Sequence, residues 1–381
     1  MNSVLIVAGE KSGENYGAAV VREFLKLEPG TAFFGVGGRN MADAGVEILA
    51  PMEDLAVVGL AEVVTEIPRI GRLLRRLAED AGRRNPAAAL LIDSPDFNLR
   101  LAKRLKALGV PVLYYIGPTV WAWRRGRLKT VRDFVRKMCF IFPFEESLYR
   151  EAGIPARFVG HPLLGRVRVR FGREEFLAKY GLDPGRPLIA LMPGSRRSEV
   201  RSHMPTLVRA ARRLREEVSA QFVLLQAEDL DPDLIPSFLS REEVDVLLLR
   251  QDAYEALAAS DIVLSACGTA NLEAALLGAP LVSFYRLSPL TYALGRPFVR
   301  IGRYSIVNIL AGRPVVPEFI QRRFEAEGLA AEALRLLADG ERRTAMRAEF
   351  LKIRESLGEE NAAGNVAREL RALVRPSAAG G

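Results

Sequence analysis

The chain has 381 residues, which suits two domains better than one, and its 49% hydrophobic and 26% charged residues exclude a disordered, collagen-like or coiled-coil chain. Two cysteines and two histidines exclude a disulfide scaffold and argue against a metal site. The formal net charge of +8 points to an anionic partner, which the motifs must identify.

The first half alternates short apolar runs with longer amphipathic stretches. The apolar runs predict strands at residues 4–8, 33–36, 87–92, 112–116, 138–142 and 157–159. The amphipathic stretches predict helices at residues 16–27, 69–84 and 99–108. This alternation indicates a parallel sheet with helices on both faces.

The pattern restarts after a connection that contains proline and glycine, residues 161–173. It predicts a helix at 204–217, further helices over the last 50 residues, and strands at 188–192, 221–226, 246–249, 262–266 and 281–285. We therefore predict an α/β protein of two Rossmann-like, doubly wound parallel-sheet domains that face a cleft. The predicted boundaries give an N-terminal domain, a C-terminal domain and a final helical segment, residues 1–163, 164–345 and 346–381.

Two loops of the first half could carry chemistry. Residues 9–14 (GEKSGE) follow a strand and precede a helix, which suits either a bound anion or a tight structural turn. Asp93 and Asp96 follow another strand, where a carboxylate is well placed to act as a general base. Asp96 or Ser94 could instead cap the next helix, and the residues alone do not choose between Asp93 and Asp96 as the base.

Two loops of the second half predict contacts with a nucleotide. Ser195 and Arg196 stand at a strand-to-helix turn, where a hydroxyl and a guanidinium suit a diphosphate, although a serine of this loop could equally cap the helix. In the other loop Gly268 turns the chain and Thr269 begins a helix that can hold phosphate. Glu273 lies one turn further on and is interpreted as a ribose ligand, with an ordinary surface glutamate as the alternative.

Three other side chains could react or bind a ligand, but the sequence favours a simpler interpretation of each. Cys267 is expected to be a packing residue, because no histidine lies near it in the sequence. His161 is expected to form part of a structured hinge at the connection between the halves, with a catalytic role as the alternative. His203 is expected to be solvated, because it lies at the arginine-rich start of a helix.

Basic residues form two clusters. In residues 69–84, Leu74, Leu77 and Ala81 share one helical face, and arginines occupy the others. Such a helix could lie on an anionic membrane, but a stripe that faces the core is the interpretation that these residues alone favour. Residues 124–132 follow several aromatic side chains and could stack bases, but no nucleic-acid motif accompanies them, so we expect no nucleic-acid partner.

The chain carries nine motifs in a fixed order: GEKSG at 9–13, DLAVVG at 54–59, DSPDFN at 93–98, VWAWR at 120–124, FPFE at 142–145, GHP at 160–162, PGSR at 193–196, GTANLE at 268–273 and NILAGR at 308–313. Together they resemble the lipid-A-disaccharide synthase family, glycosyltransferases of the two-Rossmann-domain GT-B type. The resemblance spans residues 4–320. The WAWR and DSPDFN segments are highly specific, whereas GTA-x-LE occurs more widely among glycosyltransferases.

The resemblance implies an inverting hexosyl transfer in lipid A and lipopolysaccharide biosynthesis. A UDP-2,3-diacylglucosamine donor gives its sugar to 2,3-diacylglucosamine 1-phosphate, which yields the β(1→6) disaccharide and UDP without a metal or other cofactor. It also implies a cytoplasmic protein held peripherally on the anionic inner face of the inner membrane, so residues 69–84 become a candidate docking helix. A homodimer is a further candidate state.

The family's motifs also imply roles for single residues. Asp93 is the expected general base on the acceptor 6-hydroxyl, and the final helices are expected to pack back on the N-terminal domain. Donor binding falls to six residues: Ser195, Arg196, Gly268, Thr269, Glu273 and Asn308. The active-site loop comprises Gly9, Glu10, Ser12 and Gly13.

Five positions depart from the family pattern and bear on the exact pair of acylated sugars. They are Lys11 where alanine is usual, Glu14 where aspartate is, Gly117 and Thr119 where two serines are, and Val307 where proline often is. The alternatives are another GT-B UDP-sugar enzyme, either a transferase of N-acetylglucosamine to a lipid-linked acceptor or a UDP-sugar 2-epimerase, and a non-catalytic UDP-binding protein associated with the membrane.

Overall fold

The computed structural model describes residues 2–55, 63–122, 124–228, 230–239, 245–288, 292 and 302–375, with residues 63–67 described by their backbone only. The chain divides into two compact units. Unit 1 comprises Met1–Pro162 and Leu357–Gly381, and unit 2 comprises Leu163–Ser356. The second division therefore falls later than the expected residue 345, because the helix Gly340–Ser356 packs within unit 2.

Unit 1 is built on a parallel sheet of seven strands: β1 (Ser3–Ala8), β2 (Ala32–Gly37), β3 (Val46–Pro51), β4 (Ala88–Ile92), β5 (Val112–Tyr115), β6 (Lys137–Phe140) and β7 (Ala156–Phe158). Their order is β3-β2-β1-β4-β5-β6-β7. The sheet is flanked by α1 (Lys11–Leu27), α2 (Arg39–Asp43), α3 (Val63–Arg84), α4 (Pro95–Ala107), α5 (Arg127–Phe134) and α6 (Glu145–Glu151).

Apolar side chains cover both faces of this sheet. Along β1, Leu5 and Val7 belong to one buried cluster, whereas Val4 and Ile6 belong to another. Because successive strand residues point to opposite faces, an uninterrupted apolar run is what a central parallel strand requires. This is the reason that the runs in the sequence identified β1 and β4.

Unit 2 repeats the architecture with six parallel strands: β8 (Leu188–Met192), β9 (Gln221–Leu225), β10 (Leu247–Leu249), β11 (Ile262–Ala266), β12 (Leu281–Tyr285) and β13 (Glu318–Ile320). Their order is β10-β9-β8-β11-β12-β13. Its described helices are α7 (Arg173–Tyr180), α8 (Arg197–Glu217), α9 (Pro236–Leu239), α10 (Ala253–Ala259), α11 (Thr269–Leu276), α12 (Ile306–Leu310), α13 (Ala326–Ala338) and α14 (Gly340–Ser356). Two doubly wound parallel sheets confirm the predicted fold class.

The last helix, α15 (Ala362–Val374), belongs to unit 1 and packs on α1. Val366 and Leu370 are fully buried in the same cluster as the apolar face of α1. At the rim, Arg371 Nε donates to Glu28 Oε1 over 2.8 Å. The end of the chain therefore completes a core that its beginning starts.

The apolar stripe of α3 faces the core of unit 1. Leu74, Leu77 and Ala81 are buried in the cluster that also contains residues of α4. The structure therefore agrees with the interpretation that the residues alone favoured, a stripe that faces the core, and the contact of this helix with a membrane stays a prediction. Among the described residues, no helix combines the length and hydropathy needed to cross a membrane.

Candidate active site

A strained turn follows β4. Asp93 and Ser94, with φ angles of 49° and 42°, both adopt the left-handed conformation, which non-glycine residues rarely do. The Asp93 amide donates to Tyr115 O over 3.0 Å. Its carbonyl oxygen accepts from Asn98 Nδ2 over 2.8 Å and from the Tyr114 hydroxyl. Three hydrogen bonds thus fix the backbone of Asp93 at the carboxyl end of the strand.

The two aspartates of this segment have different surroundings. Asp96 is exposed and forms ion pairs with Arg127 and, over 3.3 Å, with Arg124. Asp93 is half-buried at the strand end. Ser94 is the N-cap of α4, but its side chain forms no capping hydrogen bond. Position therefore favours Asp93 as a base, and the expectation that one of these side chains caps the helix is wrong for Ser94.

The segment of residues 9–13 lies against the Asp93 turn. Only Gly9 and Glu10 precede α1, so Ser12 and Gly13 belong to the first turn of that helix and not to a loop. A Cβ atom on Gly9 would lie 2.3 Å from Ser94 Oγ, so a larger residue there would force the Ser94 side chain to move. Gly13 is also buried, and a Cβ atom there would lie 3.5 Å from the Ile92 side chain. Glu10 and Ser12 are exposed. The structure thus brings together two segments that the sequence singled out separately.

Two of the departures from the family pattern form a pair. Glu14 is fully buried, and its Oε2 accepts from Lys11 Nζ over 2.8 Å. Its Oε1 accepts from the Asn40 amide in the first turn of α2 over 2.7 Å. The longer carboxylate links two helices, and the lysine compensates its charge. Lys11 and Glu14 are therefore one coupled change.

Packing also explains the departure at Gly117. A Cβ atom on Gly117 would lie 2.4 Å from the Tyr149 hydroxyl, so that hydroxyl occupies the space of a side chain. Val307 is fully buried in α12, but nothing in the structure explains a valine in place of proline there.

Three family motifs meet in one row of rings. Trp121 contacts Phe144 edge-on with ring centroids 5.3 Å apart, Phe144 stacks on Phe142 at 5.4 Å, and Phe142 contacts His161 at 5.2 Å. Burial lowers the pKa of His161 to about 3, so the ring is neutral. Its amide donates to Leu357 O over 2.9 Å, which agrees with a structural role. Trp123 and residues 56–59 of the second motif lie outside the described residues.

Glu145 adds a buried carboxyl group to this row. It is 3% exposed, and its Oε2 accepts from the Phe142 amide over 3.3 Å. Burial raises its pKa to about 7, although the hydrogen bonds that it accepts act in the opposite direction. Glu145 therefore titrates near neutral pH.

In unit 2, the turn after β8 is capped by a carboxylate and not by a serine. Glu199 Oε2 accepts from the amides of Ser195 and Arg196 over 3.1 and 3.2 Å. Its Oε1 accepts from the Tyr285 hydroxyl over 2.9 Å. The capping alternative for a serine of this loop is thus wrong. The side chains of Ser195 and Arg196 remain exposed at the helix N-terminus.

The turn after β11 exposes the start of α11. Gly268 is its N-cap, and both Gly268 and Thr269 are exposed. Glu273 is half-buried on a helix whose neighbouring residues are buried, and its Oε1 accepts from the Tyr254 hydroxyl over 3.1 Å. Burial raises the pKa of Glu273. A carboxylate anchored in this way is no ordinary surface glutamate.

Cys267 precedes this turn, and burial raises its pKa to about 12, which agrees with a packing role. His203, in contrast, is fully buried, so the expectation that it is solvated is wrong. Its Nδ1 pairs with Pro193 O over 2.7 Å, and its Nε2 accepts from the Arg286 amide over 3.0 Å. It therefore joins the segments that follow β8 and β12.

Asn308 acts within its own segment. Its Oδ1 accepts from the amides of Val315 and Val316, and its Nδ2 donates to Val316 O and Glu318 Oε1, over 2.7–2.9 Å. These four bonds use the full capacity of the amide. Asn308 also lines a cavity of about 360 Å³ with Arg303 and Arg323. The side chain therefore orders its own segment, and the expected contact of Asn308 with the donor stays a prediction.

Sequence reasoning missed the side chains that hold these segments in place. Asn98, Tyr114, Glu199 and Tyr254 had no role assigned, although each contacts an expected site residue. One signal was available, because Asn98 is a polar residue between the apolar Phe97 and Leu99. Among the described residues, no group of three or more His, Cys, Asp or Glu could hold a metal.

Solved structures with the same fold include an epimerase and a glycosyltransferase. The UDP-GlcNAc 2-epimerase of Neisseria meningitidis, solved with UDP-GlcNAc bound, aligns with a TM-score of 0.63 and 14% identity over 97% of this chain and 99% of its own. A calicheamicin glycosyltransferase aligns with a TM-score of 0.61 and 16% identity over 100% of both chains. At this identity the likeness establishes the GT-B fold alone.

Sequence comparison is more specific. The family model described as lipid-A-disaccharide synthetase matches residues 4–369. The lipid-A-disaccharide synthase of Anaeromyxobacter dehalogenans is 46% identical over 98% of both chains, and that of Geobacter sulfurreducens is 44% identical over 93% of both. The family model covers all the segments of the candidate site, and the chain therefore belongs to the lipid-A-disaccharide synthetase family.

Proposed function

We propose that this protein is an inverting glycosyltransferase that moves a diacylglucosaminyl group from its UDP carrier to diacylglucosamine 1-phosphate. Family membership supports the reaction class. The observation that carries the proposal is the half-buried Asp93 carboxylate, held on a rigid, strained turn at the carboxyl end of β4. Such a position suits a general base that acts on a hydroxyl group.

Unit 1 supplies the base. Asp93 takes the proton of the acceptor 6-hydroxyl as its oxygen attacks the anomeric carbon from the face opposite UDP. A bond forms between that oxygen and the anomeric carbon, the bond from the carbon to the β-phosphate oxygen breaks, and the electron pair leaves with UDP. The exposed Glu10 and Ser12, beside the Asp93 turn, are proposed to contact the acceptor.

Unit 2 supplies the donor contacts. The exposed N-terminus of α11, at Gly268 and Thr269, carries the partial positive charge that stabilises a departing diphosphate. The side chains of Ser195 and Arg196 add a hydroxyl and a guanidinium at the N-terminus of α8. Glu273, oriented by the Tyr254 hydroxyl, is proposed to accept hydrogen bonds from the ribose.

The proposed membrane contact is electrostatic. The apolar stripe of α3 is buried in the core, so its exposed arginine face is the surface left for an anionic membrane. Among the described residues, Arg72 and Arg75 of this face have no carboxylate partner, whereas Arg83 is paired with Asp80. Arg72→Gln with Arg75→Gln should weaken flotation with vesicles of anionic lipid. Arg83→Gln should not, and binding that resists high salt would contradict the proposal.

The function is tested with the purified protein, both diacylglucosamine substrates and mass spectrometry of the lipid product. The disaccharide 1-phosphate and UDP are expected. A new product from the UDP-sugar alone would indicate a 2-epimerase, and UDP binding without product would indicate a non-catalytic protein.

Variants assign the roles. Asp93→Ala should abolish turnover with little change in UDP affinity. The exposed neighbour Asp96→Ala is the matched control and should keep turnover. Glu273→Ala should raise the donor KM instead. Normal turnover by Asp93→Ala, or an unchanged donor KM in Glu273→Ala, would contradict the assignments.

A further inference from the structure

The amide of Asn98 is buried in the first turn of α4. The residue is 0% exposed and lies between the buried Phe97 and Leu99. Its Nδ2 donates to the carbonyl oxygens of Ile92 and Asp93 over 3.0 and 2.8 Å. Its Oδ1 has no hydrogen-bond partner among the residues that the structure describes. One end of this amide is thus satisfied and the other is not.

An unpaired buried oxygen destabilises the folded state, and the two hydrogen bonds that Nδ2 donates offset that cost. An apolar side chain of similar size would avoid the unpaired oxygen, but it would take this donor away from the carbonyl groups of Ile92 and Asp93. What only an amide supplies here is a pair of N–H donors directed at the end of β4. The same strand end carries Asp93 and Ser94 in the left-handed conformation.

A second donor acts on the same atom. The Tyr114 hydroxyl donates to the Asp93 carbonyl oxygen from the neighbouring strand β5, and the tyrosine is fully buried. Burial raises the pKa of Tyr114 well above its usual value, so the hydroxyl keeps its proton. Asn98 from α4 and Tyr114 from β5 therefore donate to the same carbonyl oxygen.

Unit 2 contains a comparable asparagine with a complete set of bonds. Asn271, fully buried in the first turn of α11, donates to Ala266 O over 3.0 Å and to Ser265 Oγ over 2.9 Å. Its Oδ1 accepts from the Ser283 hydroxyl. The fold can thus satisfy such an amide completely. In unit 1 it does not, and there the contacted carbonyl belongs to the proposed base.

We propose that Asn98, together with Tyr114, is a positioning residue that holds the Asp93 turn in its left-handed form and so fixes the carboxylate for proton removal. The inference rests on the proposed function. A carboxylate that moves by about 1 Å loses on the order of 100-fold in rate. The effect should appear in kcat and not in donor binding, which unit 2 supplies.

The test compares Asn98→Leu and Tyr114→Phe with a matched control in the same unit. Asn365 of α15 also donates to a carbonyl at a strand end, Val159 O, over 2.9 Å, and has no part in the proposed site. Asn98→Leu should lower kcat by about 100-fold and Tyr114→Phe by about 10-fold, with the Kd for UDP unchanged. Asn365→Leu should lower Tm and leave kcat unchanged.

The decisive measurement repeats Asn98→Leu in the Asp93→Asn background. If Asn98 acts through Asp93, the residual rate should change by less than about twofold. Two outcomes would overturn this inference but leave the proposed function standing. One is a rate loss from Asn98→Leu that multiplies with the loss from Asp93→Asn, and the other is an unchanged kcat in both single variants, at Asn98 and at Tyr114. A wild-type protein that forms no disaccharide would overturn the proposed function and this inference with it. If Asn98→Leu does not fold, Tyr114→Phe is combined with Asp93→Asn in the same double-mutant comparison.

Discussion

His161 and Glu145 should exert opposite and nearly equal effects on the stability of unit 1 between pH 7 and pH 5. Both are 3% exposed, and both contact Phe142, one through its ring and the other through its amide. Burial disfavours the charged form of each group, but charging means gaining a proton for histidine and losing one for glutamate. The two groups therefore respond to acid with opposite signs.

The magnitudes follow from the pKa values. The pKa of His161 falls from 6.5 in the unfolded chain to about 3 in the folded protein. Below pH 6.5 the unfolded chain binds a proton that the folded protein does not, so stability decreases by about 2 kcal/mol from pH 7 to pH 5. The pKa of Glu145 rises from 4.5 to about 7, so the folded protein binds the proton first. This increases stability by about 2 kcal/mol over the same range.

Denaturant unfolding at both pH values tests the cancellation. The chain has two tryptophans, Trp121 and Trp123, and both belong to unit 1, so tryptophan fluorescence reports the relevant unfolding. On the change from pH 7 to pH 5, the free energy of unfolding of His161→Asn should rise by about 2 kcal/mol relative to the wild type. That of Glu145→Gln should fall by about 2 kcal/mol. The double variant should follow the wild type. Parallel pH dependences in all four proteins would refute the reasoning.

Three further predictions concern other parts of the chain. Lys11→Ala should lower the free energy of unfolding by about 1 kcal/mol, and by clearly less when Glu14 is already replaced by glutamine. A double-mutant cycle measures the difference, and additive losses would contradict the pairing of Lys11 with Glu14. The half-buried Cys267 thiol, with its pKa raised to about 12, should resist alkylation of the folded protein near neutral pH. Rapid modification detected by intact mass would contradict the raised pKa. Leu370→Asp should destabilise unit 1 by about 4 kcal/mol or more, and protease resistance equal to that of the wild type would argue against the packing of α15 on α1.

The elements that the sequence predicted well are those with a strong local pattern. β1, β4 and β11 consist almost entirely of apolar residues because both of their faces are covered. β3 and β13 lie at sheet edges with mixed or partial burial, so their local pattern is weak, and both were missed. His203 was misplaced because its arginine neighbours suggested solvent, whereas the helical period puts it with the buried Val200 and Leu207.

The candidate site divides in the same way. Asp93, Gly268 and Glu273 lie in motifs, and their position after strands is visible in the sequence. The residues that hold them, such as Tyr114 and Tyr254, reach them from distant elements, and no local pattern records that contact. The coupling of Lys11 with Glu14 has a spacing of one helical turn, but the burial that gives it meaning depends on α2.

The return of the chain to unit 1 imposes an order on folding. Unit 2 is a continuous stretch inserted between β7 and α15, so the ribosome completes it before it makes the helix that unit 1 lacks. Until then the side of α1 that packs on α15 has no cover, because Val366 and Leu370 have not been synthesised. The unit that begins first is therefore finished last, and in a nascent chain it is the part that needs protection from aggregation.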